Sequence, residues 1–239
     1  MSTADALWCV VPAAGSGARF GAGAPKQYAE LGGKPMLAQT LERLAAMPCI
    51  AGLMVVLAAD DRRWAPRDAL LGKPVRTTAG GEQRAHSVLA GLHALRGTLD
   101  DDAFVLVHDA ARPCIARADV ERLIARGSAA GGALLAAPLH DTLKRGDDAD
   151  RVVATEPREQ RWRALTPQLF RLGELTAALE AAITERVAVT DEAMAMERAG
   201  HRPLLVEGTA SNIKVTTPDD LAYAEFVLRR EARDVRRET

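Results

Sequence analysis

Two cations stand in and just beyond a glycine-rich turn near the start of the chain. In VVPAAGSGARFGAGAPKQY, from Val10 to Tyr28, Arg19 lies inside the turn and Lys26 follows it. A guanidinium can fork across two phosphate oxygens, and an ammonium acts as a compact point charge. The side-chain-poor segment Pro12, Ala13, Ala14, Gly15 and Gly17 would let backbone N–H groups approach an anion closely. Together they would make a cradle for a polyphosphate. Only five lysines stand against twenty-six arginines, so a lysine at 26 carries information about geometry.

Two better-known glycine motifs do not fit. A P-loop starting at Gly15 would need glycine and lysine where Phe20 and Gly21 stand. The dinucleotide pattern G-x-G-x-x-G fails at Phe20, and the acid it requires about 20 residues later is missing. A third charged group, Asp109 in LVHDAARP, follows the apolar run Phe104–Val107. Ligands of open α/β sheets collect at the carboxyl ends of strands, and a carboxylate beside a polyphosphate needs a cation between them. Asp109 is therefore the candidate Mg²⁺ ligand, with a helix cap as its plainer alternative. His108 reads as a packed strand end.

These groups need a scaffold, and the apolar pattern supplies one. Leu7–Val11, Gly52–Ala58, Val75–Thr78, Phe104–Val107 and Ala133–Ala137 read as buried strands. Leu37, Leu41 and Leu44 fall at helical spacing, as do Val88, Leu92 and Leu95, and Leu172, Leu175, Leu179 and Ile183. Val120, Leu123 and Ile124 mark a helix expected to stop at Gly127. Thr190-Asp191-Glu192 and Thr217-Pro218-Asp219-Asp220 read as helix starts, and Leu204–Glu207 and Ile213–Thr216 as short strands. The alternation predicts an α/β, three-layer, Rossmann-like domain over residues 1–239 with a mostly parallel sheet. One segment interrupts it: His140–Glu159 is polar and too long for an ordinary connection, and GDDAD reads as the turn between two extended limbs.

Composition narrows the function classes. A formal charge of −1 and 4% aromatic residues argue against nucleic-acid binding. Cys9, Cys49 and Cys114 form no C-x-x-C pair, which points to free thiols in a reducing, cytoplasmic setting. No apolar run approaches the ~20 residues that span a bilayer, and no signal peptide is visible.

From about Leu7 to about Leu228 the chain resembles the nucleotidyltransferases that activate sugars and polyols, and more narrowly the 2-C-methyl-D-erythritol 4-phosphate cytidylyltransferase family. The resemblance lies in PKQY, GGEQRAHSVLAGL, LVHDAARP, APLHDTLKR, ALTPQLF, VTDEA and VEGTASNIKVTTPDDL, in that order. It implies a CTP-dependent, Mg²⁺-dependent nucleotidyltransferase fold with a protruding β-arm at about 139–159. Arg19, Lys26 and Lys214 take the catalytic positions. Pro12, Ala13, Ala14, Gly15, Gly17, Gly81, Glu82, Arg84, Ser87 and Ala110 fall on CTP-contacting positions. Ser87 could donate to the cytosine carbonyl while a backbone carbonyl near Gly81 accepts from the exocyclic amine. Arg112, Thr142, Arg158, Thr166, Thr190 and Asp191 fall on acceptor-binding positions, with Asp109 as metal ligand. The arm is expected to cross to the partner of a homodimer. The sequence departs from the pattern at Ser211, where an acid is expected. Three alternatives stand beside this reading: a cytidylyltransferase for another polyol phosphate such as ribitol 5-phosphate, a nicotinamide-dependent reductase, and a non-catalytic binding module.

Overall fold

In the computed structural model, which describes residues 7–15 and 25–238, the first apolar run forms β1 (Leu7–Pro12). A short hairpin, β2 (Glu30–Leu31) and β3 (Lys34–Pro35), leads to α1 (Met36–Ala45). Then come β4 (Ile50–Leu57), β5 (Ala69–Leu70), β6 (Lys73–Ala79), α2 (Arg84–Leu95), β7 (Phe104–Val107), α3 (Arg117–Ala130) and β8 (Ala133–Pro138). The polar segment forms a separate two-stranded hairpin, β9 (Leu143–Gly146) and β10 (Val152–Glu156). The chain returns through β11 (Trp162–Arg171), α4 (Leu172–Thr184), α5 (Glu192–Arg198), β12 (Leu204–Glu207) and α6 (Pro218–Glu238).

The main sheet has the order β12-β8-β11-β7-β1-β4-β6-β5. β1 runs parallel to β4 and β7, β4 to β6, and β8 to β12. Its main exception is β11, which lies antiparallel between β7 and β8. The residues of β1 alternate between faces, as a strand covered on both sides must. Cys9 and Val11 pack with Leu37, Leu41 and Leu44 of α1 and Val120 and Leu123 of α3. Trp8 and Val10 pack with Val88 and Leu92 of α2 and Leu175 and Leu179 of α4. Three layers follow directly from this double burial.

Two boundaries differ from the sequence reading. α3 does not stop at Gly127 but continues to Ala130, and Gly131 caps it with φ 80°. Gly127 is there for close packing: a Cβ would lie 2.8 Å from the Ala133 side chain and 2.9 Å from Leu169. Ile213–Thr216 is not a strand. Its Val215 N–H donates to the Ala111 carbonyl at 2.8 Å, and the Val215 side chain packs with α6 in a third apolar cluster. The apolar alternation there reflects one buried contact, not a ladder.

One irregularity in β11 bears on the site. Ala164 pairs with Ala136 and Gln168 with Leu134, so four steps on β11 match two on β8. The surplus forms a bulge holding Leu165, Thr166 and Pro167, and such bulges redirect side chains.

Candidate active site

The loops after β1, β6 and β7 meet at the carboxyl edge of the sheet around a cavity of about 430 Å³. Its wall begins with Pro12, Ala13, Ala14 and Gly15. Ala13 N–H donates to the Val56 carbonyl at 2.7 Å, and the buried Gln27 amide donates to the Ala13 carbonyl at 2.7 Å, so the loop leaves the strand in a fixed direction. Gly17 and Arg19 lie outside the described residues. Lys26 opens a short 3-10 turn, lines the cavity and donates from Nζ to the Val215 carbonyl at 2.9 Å.

The second wall is the loop between β6 and α2. Gly80 must be glycine: a Cβ would lie 2.6 Å from Ser87 Oγ and 2.7 Å from the Ala14 Cβ. This close approach brings the two glycine loops into contact. Gly81, Glu82, Arg84 and Ser87 all line the cavity. The Ser87 hydroxyl lies 3.2 Å from the Gln83 carbonyl and 3.3 Å from the Gly81 carbonyl. It must rotate to donate to a base.

The floor is Asp109, flanked by Ala110 and by Lys214 from the segment before α6. Arg84 Nε donates to Asp109 Oδ1 at 2.9 Å, while Lys214 Nζ and Arg112 Nε reach Oδ2 at 3.0 and 3.3 Å. Burial alone would push the Asp109 carboxyl up. Arg84 first, then Lys214 and Arg112, overcome that effect and hold it far below the usual carboxylate range. The carboxylate is therefore charged at any working pH.

A shell behind the floor holds it in place. Thr166, delivered by the β11 bulge, accepts from the Asp109 backbone N–H at 3.1 Å and lies 3.0 Å from His108 Nδ1. His108 Nε2 faces the Arg112 carbonyl at 3.1 Å; a carbonyl only accepts, so Nε2 carries the proton and Thr166 Oγ donates to Nδ1. Burial pushes the His108 imidazole down to about 4, so it is neutral, as its packed position predicts. Arg112 donates to the Asn212 carbonyl at 2.8 Å, and the Asn212 amide donates to the Thr166 carbonyl at 2.7 Å. Arg112 and Thr166 thus sit beneath the cavity and do not line it.

The remaining acceptor-side residues also lie off the cavity lining within this chain. Asp191 is the N-cap of α5, accepting from Met194 N–H at 2.9 Å and from the Gln168 amide at 2.9 Å. Thr190 is exposed, with its hydroxyl 3.6 Å from Met194 Sδ. Thr142 is exposed at the base of the arm, and the exposed Arg158 donates to the His140 carbonyl there.

Sequence reading missed Glu192. It is buried, and its carboxylate takes both terminal nitrogens of Arg84, at 2.6 and 3.0 Å. Helical spacing held a signal: Glu192 falls on the same face as the buried Ala195 and Met196. A carboxylate there must meet a cation. For a divalent cation, among the described residues Asp109 is the one buried carboxylate of the lining, and those residues contain no cluster of three His, Cys, Asp or Glu suited to a metal ion. That donor set fits an ion such as Mg²⁺ that arrives with phosphate oxygens and waters and takes one protein carboxylate.

A model of the family IspD, 2-C-methyl-D-erythritol 4-phosphate cytidylyltransferase, matches residues 7–230. A protein of that name from Stenotrophomonas maltophilia (strain R551-3) is 59% identical over 228 residues, covering 95% of this chain and 98% of the relative. One from Xylella fastidiosa (strain M23) is 53% identical, over 94% of this chain and 97% of the relative. Among solved structures, the Francisella tularensis 2-C-methyl-D-erythritol 4-phosphate cytidylyltransferase superposes with a TM-score of 0.79 at 33% identity, covering 92% of this chain and 98% of that one. The protein of the same name from Thermus thermophilus gives 0.76 at 30% identity, covering 93% and 98%.

Proposed function

This chain belongs to the 2-C-methyl-D-erythritol 4-phosphate cytidylyltransferase family, and we propose that it carries out cytidylyl transfer in the cavity floored by Asp109. The reaction joins CTP and 2-C-methyl-D-erythritol 4-phosphate into 4-diphosphocytidyl-2-C-methyl-D-erythritol and pyrophosphate, a step of isoprenoid precursor synthesis. The observation that carries the assignment of the cavity is the meeting of Lys26, Lys214 and buried Asp109 on one wall-to-floor surface.

An ionised oxygen of the acceptor phosphate attacks the α-phosphorus of CTP. The new P–O bond forms as the bond to the bridging oxygen breaks, and pyrophosphate leaves with that electron pair. The nucleophile carries no proton to remove, so no general base is needed. Catalysis is then positioning and charge stabilisation. Lys26, Lys214 and Arg19 counter the charge that grows on the α-phosphoryl group. Pro12 to Gly15 direct the triphosphate, and the Gly81–Ser87 loop receives the base. Asp109 would hold Mg²⁺, which supplies charge neutralisation between carboxylate and triphosphate when bound.

The acceptor side is completed in this proposal by a second subunit. Thr142 and Arg158 stand on the arm, whose exposed Val152 and Val153 and polar limbs suit a partner surface. The protein would act as a homodimer in the cytoplasm, with residues 1–239 as one catalytic unit. Among the described residues no helix is long and apolar enough to cross a membrane.

A pyrophosphate-release assay with four nucleoside triphosphates and two acceptors tests the reaction. Release is expected with CTP and methylerythritol phosphate; faster release with ribitol 5-phosphate would overturn the acceptor assignment. The shared site has its own test in mixed dimers of Lys26→Ala and Arg158→Ala. An arm acting in trans leaves one site of each mixed dimer with an intact core and an intact arm, so activity returns. Isolated mixed dimers as inactive as their parents would rule it out.

A further inference from the structure

An ionised carboxylate offers about four lone-pair positions for donors or cations. Among the described residues, three at Asp109 are in use: Arg84 Nε on Oδ1, and Lys214 Nζ and Arg112 Nε on Oδ2. Arg84 gives Asp109 one of its five N–H groups, the one on Nε. Its two terminal nitrogens are both committed to Glu192, at 2.6 and 3.0 Å.

The support behind Glu192 is as specific as the pair itself. Its side chain is 1% exposed against 25% for Arg84, so Glu192 is the fixed member and Arg84 the one that reaches the cavity. Gln168 grips the start of α5 twice, donating to Asp191 Oδ2 at 2.9 Å and accepting from Ala193 N–H at 2.7 Å. The carboxylate is thus held from β11 and α5 while the arginine comes from α2.

We propose that Glu192 is a positioning residue for cytidylyl transfer: by taking one N–H from each terminal nitrogen of Arg84, it anchors the guanidinium so that its Nε–H stays on Asp109 Oδ1 and steadies that carboxylate at the cavity floor. The proposal rests on the cytidylyl-transfer reading of this site. Without the Glu192 charge, the guanidinium loses its anchor and the Nε–H contact with Asp109 loosens.

The test is a double-mutant cycle in the full chain: wild type, Glu192→Gln, Arg84→Ala and both together. Glu192→Gln is expected to lower kcat about tenfold with KM for CTP within about twofold, and to change the Arg84→Ala enzyme less than about twofold. Costs that multiply would overturn the proposal, since a residue acting through Arg84 has nothing to position once it is gone. Glu192→Asp keeps the charge at shorter reach and should recover part of the rate. It also replaces Glu192→Gln in the cycle should that variant fail to fold. A second readout needs no turnover. The Arg84 Nε–H resonance, identified by its loss in Arg84→Ala, should exchange with water about tenfold faster in the Glu192 variant. Unchanged exchange would overturn the positioning role. A wild-type enzyme that releases no pyrophosphate would sink the transfer reading alone, because the exchange measurement still reports on the pair.

Discussion

At the floor of the cavity, Asp109 has 8% of its side chain exposed and meets three cations. In the arm, Arg145 and Glu156 pair at 2.9 Å with 61% and 40% of their side chains exposed. Lys144 bonds Thr155 across the same hairpin, and Arg151 bonds Asp147 at its turn. Both regions are built from opposite charges at similar distances. They differ in what water does. At the floor, the Asp109 carboxylate and Arg112 have lost nearly all their solvent, while Arg84 and Lys214 reach them from more exposed positions, so the buried carboxylate needs its partners and is held before any substrate arrives. In the arm, water competes for every pair, and the same contacts hold the hairpin loosely. The floor is suited to a charge pattern fixed in advance, and the arm to residues that find their partners on assembly.

The largest effect should come from Asp109→Asn. It leaves Arg84, Arg112 and Lys214 facing one another across a neutral amide. Removing one member of a buried ion pair costs about 3–5 kcal/mol. Denaturant unfolding should show a lower midpoint at an unchanged slope, together with lost magnesium-dependent turnover. Stability close to wild type would mean that the floor cations find other partners, and the contrast with the arm would fail.

Lys26→Ala tests whether the floor is where reaction occurs. Losing one transition-state electrostatic contact removes about 3–4 kcal/mol, or roughly 10²–10³-fold in kcat. CTP binding should weaken far less. Near-normal turnover would detach the reaction from this cavity.

His108 extends the comparison to pH. Its imidazole titrates at about 4 in the folded chain against an ordinary value of 6.5. The unfolded chain therefore takes the proton first. The stabilising contribution is complete above about pH 6.5, falls as pH drops toward 4 and is constant below, a total of about 3 kcal/mol. Asp220, held at about 2, and Asp109, held lower still, act only below this window. Urea unfolding at pH 7.5 and 4.5 should show the loss, and His108→Gln should flatten it. A wild-type profile without that slope would place water beside His108.

The strands that carry the site were legible because burial on both faces writes continuous apolar runs, as in Phe104–Val107 and Ala133–Pro138. Asp109 was legible because it ends such a run. The antiparallel β11 was not, since its direction is set by pairing with β7 and β8 and not by its own residues. Gly127 was misread because a glycine needed for contact with Ala133 looks the same in sequence as one that ends a helix. Glu192 read as an acid in a helix's first turn, a position that normally faces water. Its link to Arg84 spans 108 positions, and no local pattern announces it. Thr190 and Asp191 show the same limit at close range: adjacent polar residues, of which Asp191 alone caps α5.

The smallest effect belongs to the arm. Arg145→Ala removes an exposed cross-strand pair, and such pairs are worth about 0.2–1 kcal/mol. Glu156 stays solvated and keeps its place in β10, so nothing buried is left unpaired. The β9–β10 ladder, from Val152 opposite Gly146 to Glu156 opposite Leu143, does not depend on that side chain. The unfolding free energy should therefore fall by no more than about 1 kcal/mol. Raising the salt should shrink even that difference, whereas screening should change the Asp109→Asn cost far less because the Asp109 carboxylate is buried. Measured at low and high salt, the two variants thus separate by mechanism as well as by size. An Arg145→Ala variant that lost several kcal/mol would mean the arm is buried in the protein's working state, and unfolding that depended on protein concentration would then identify a second subunit as what buries it.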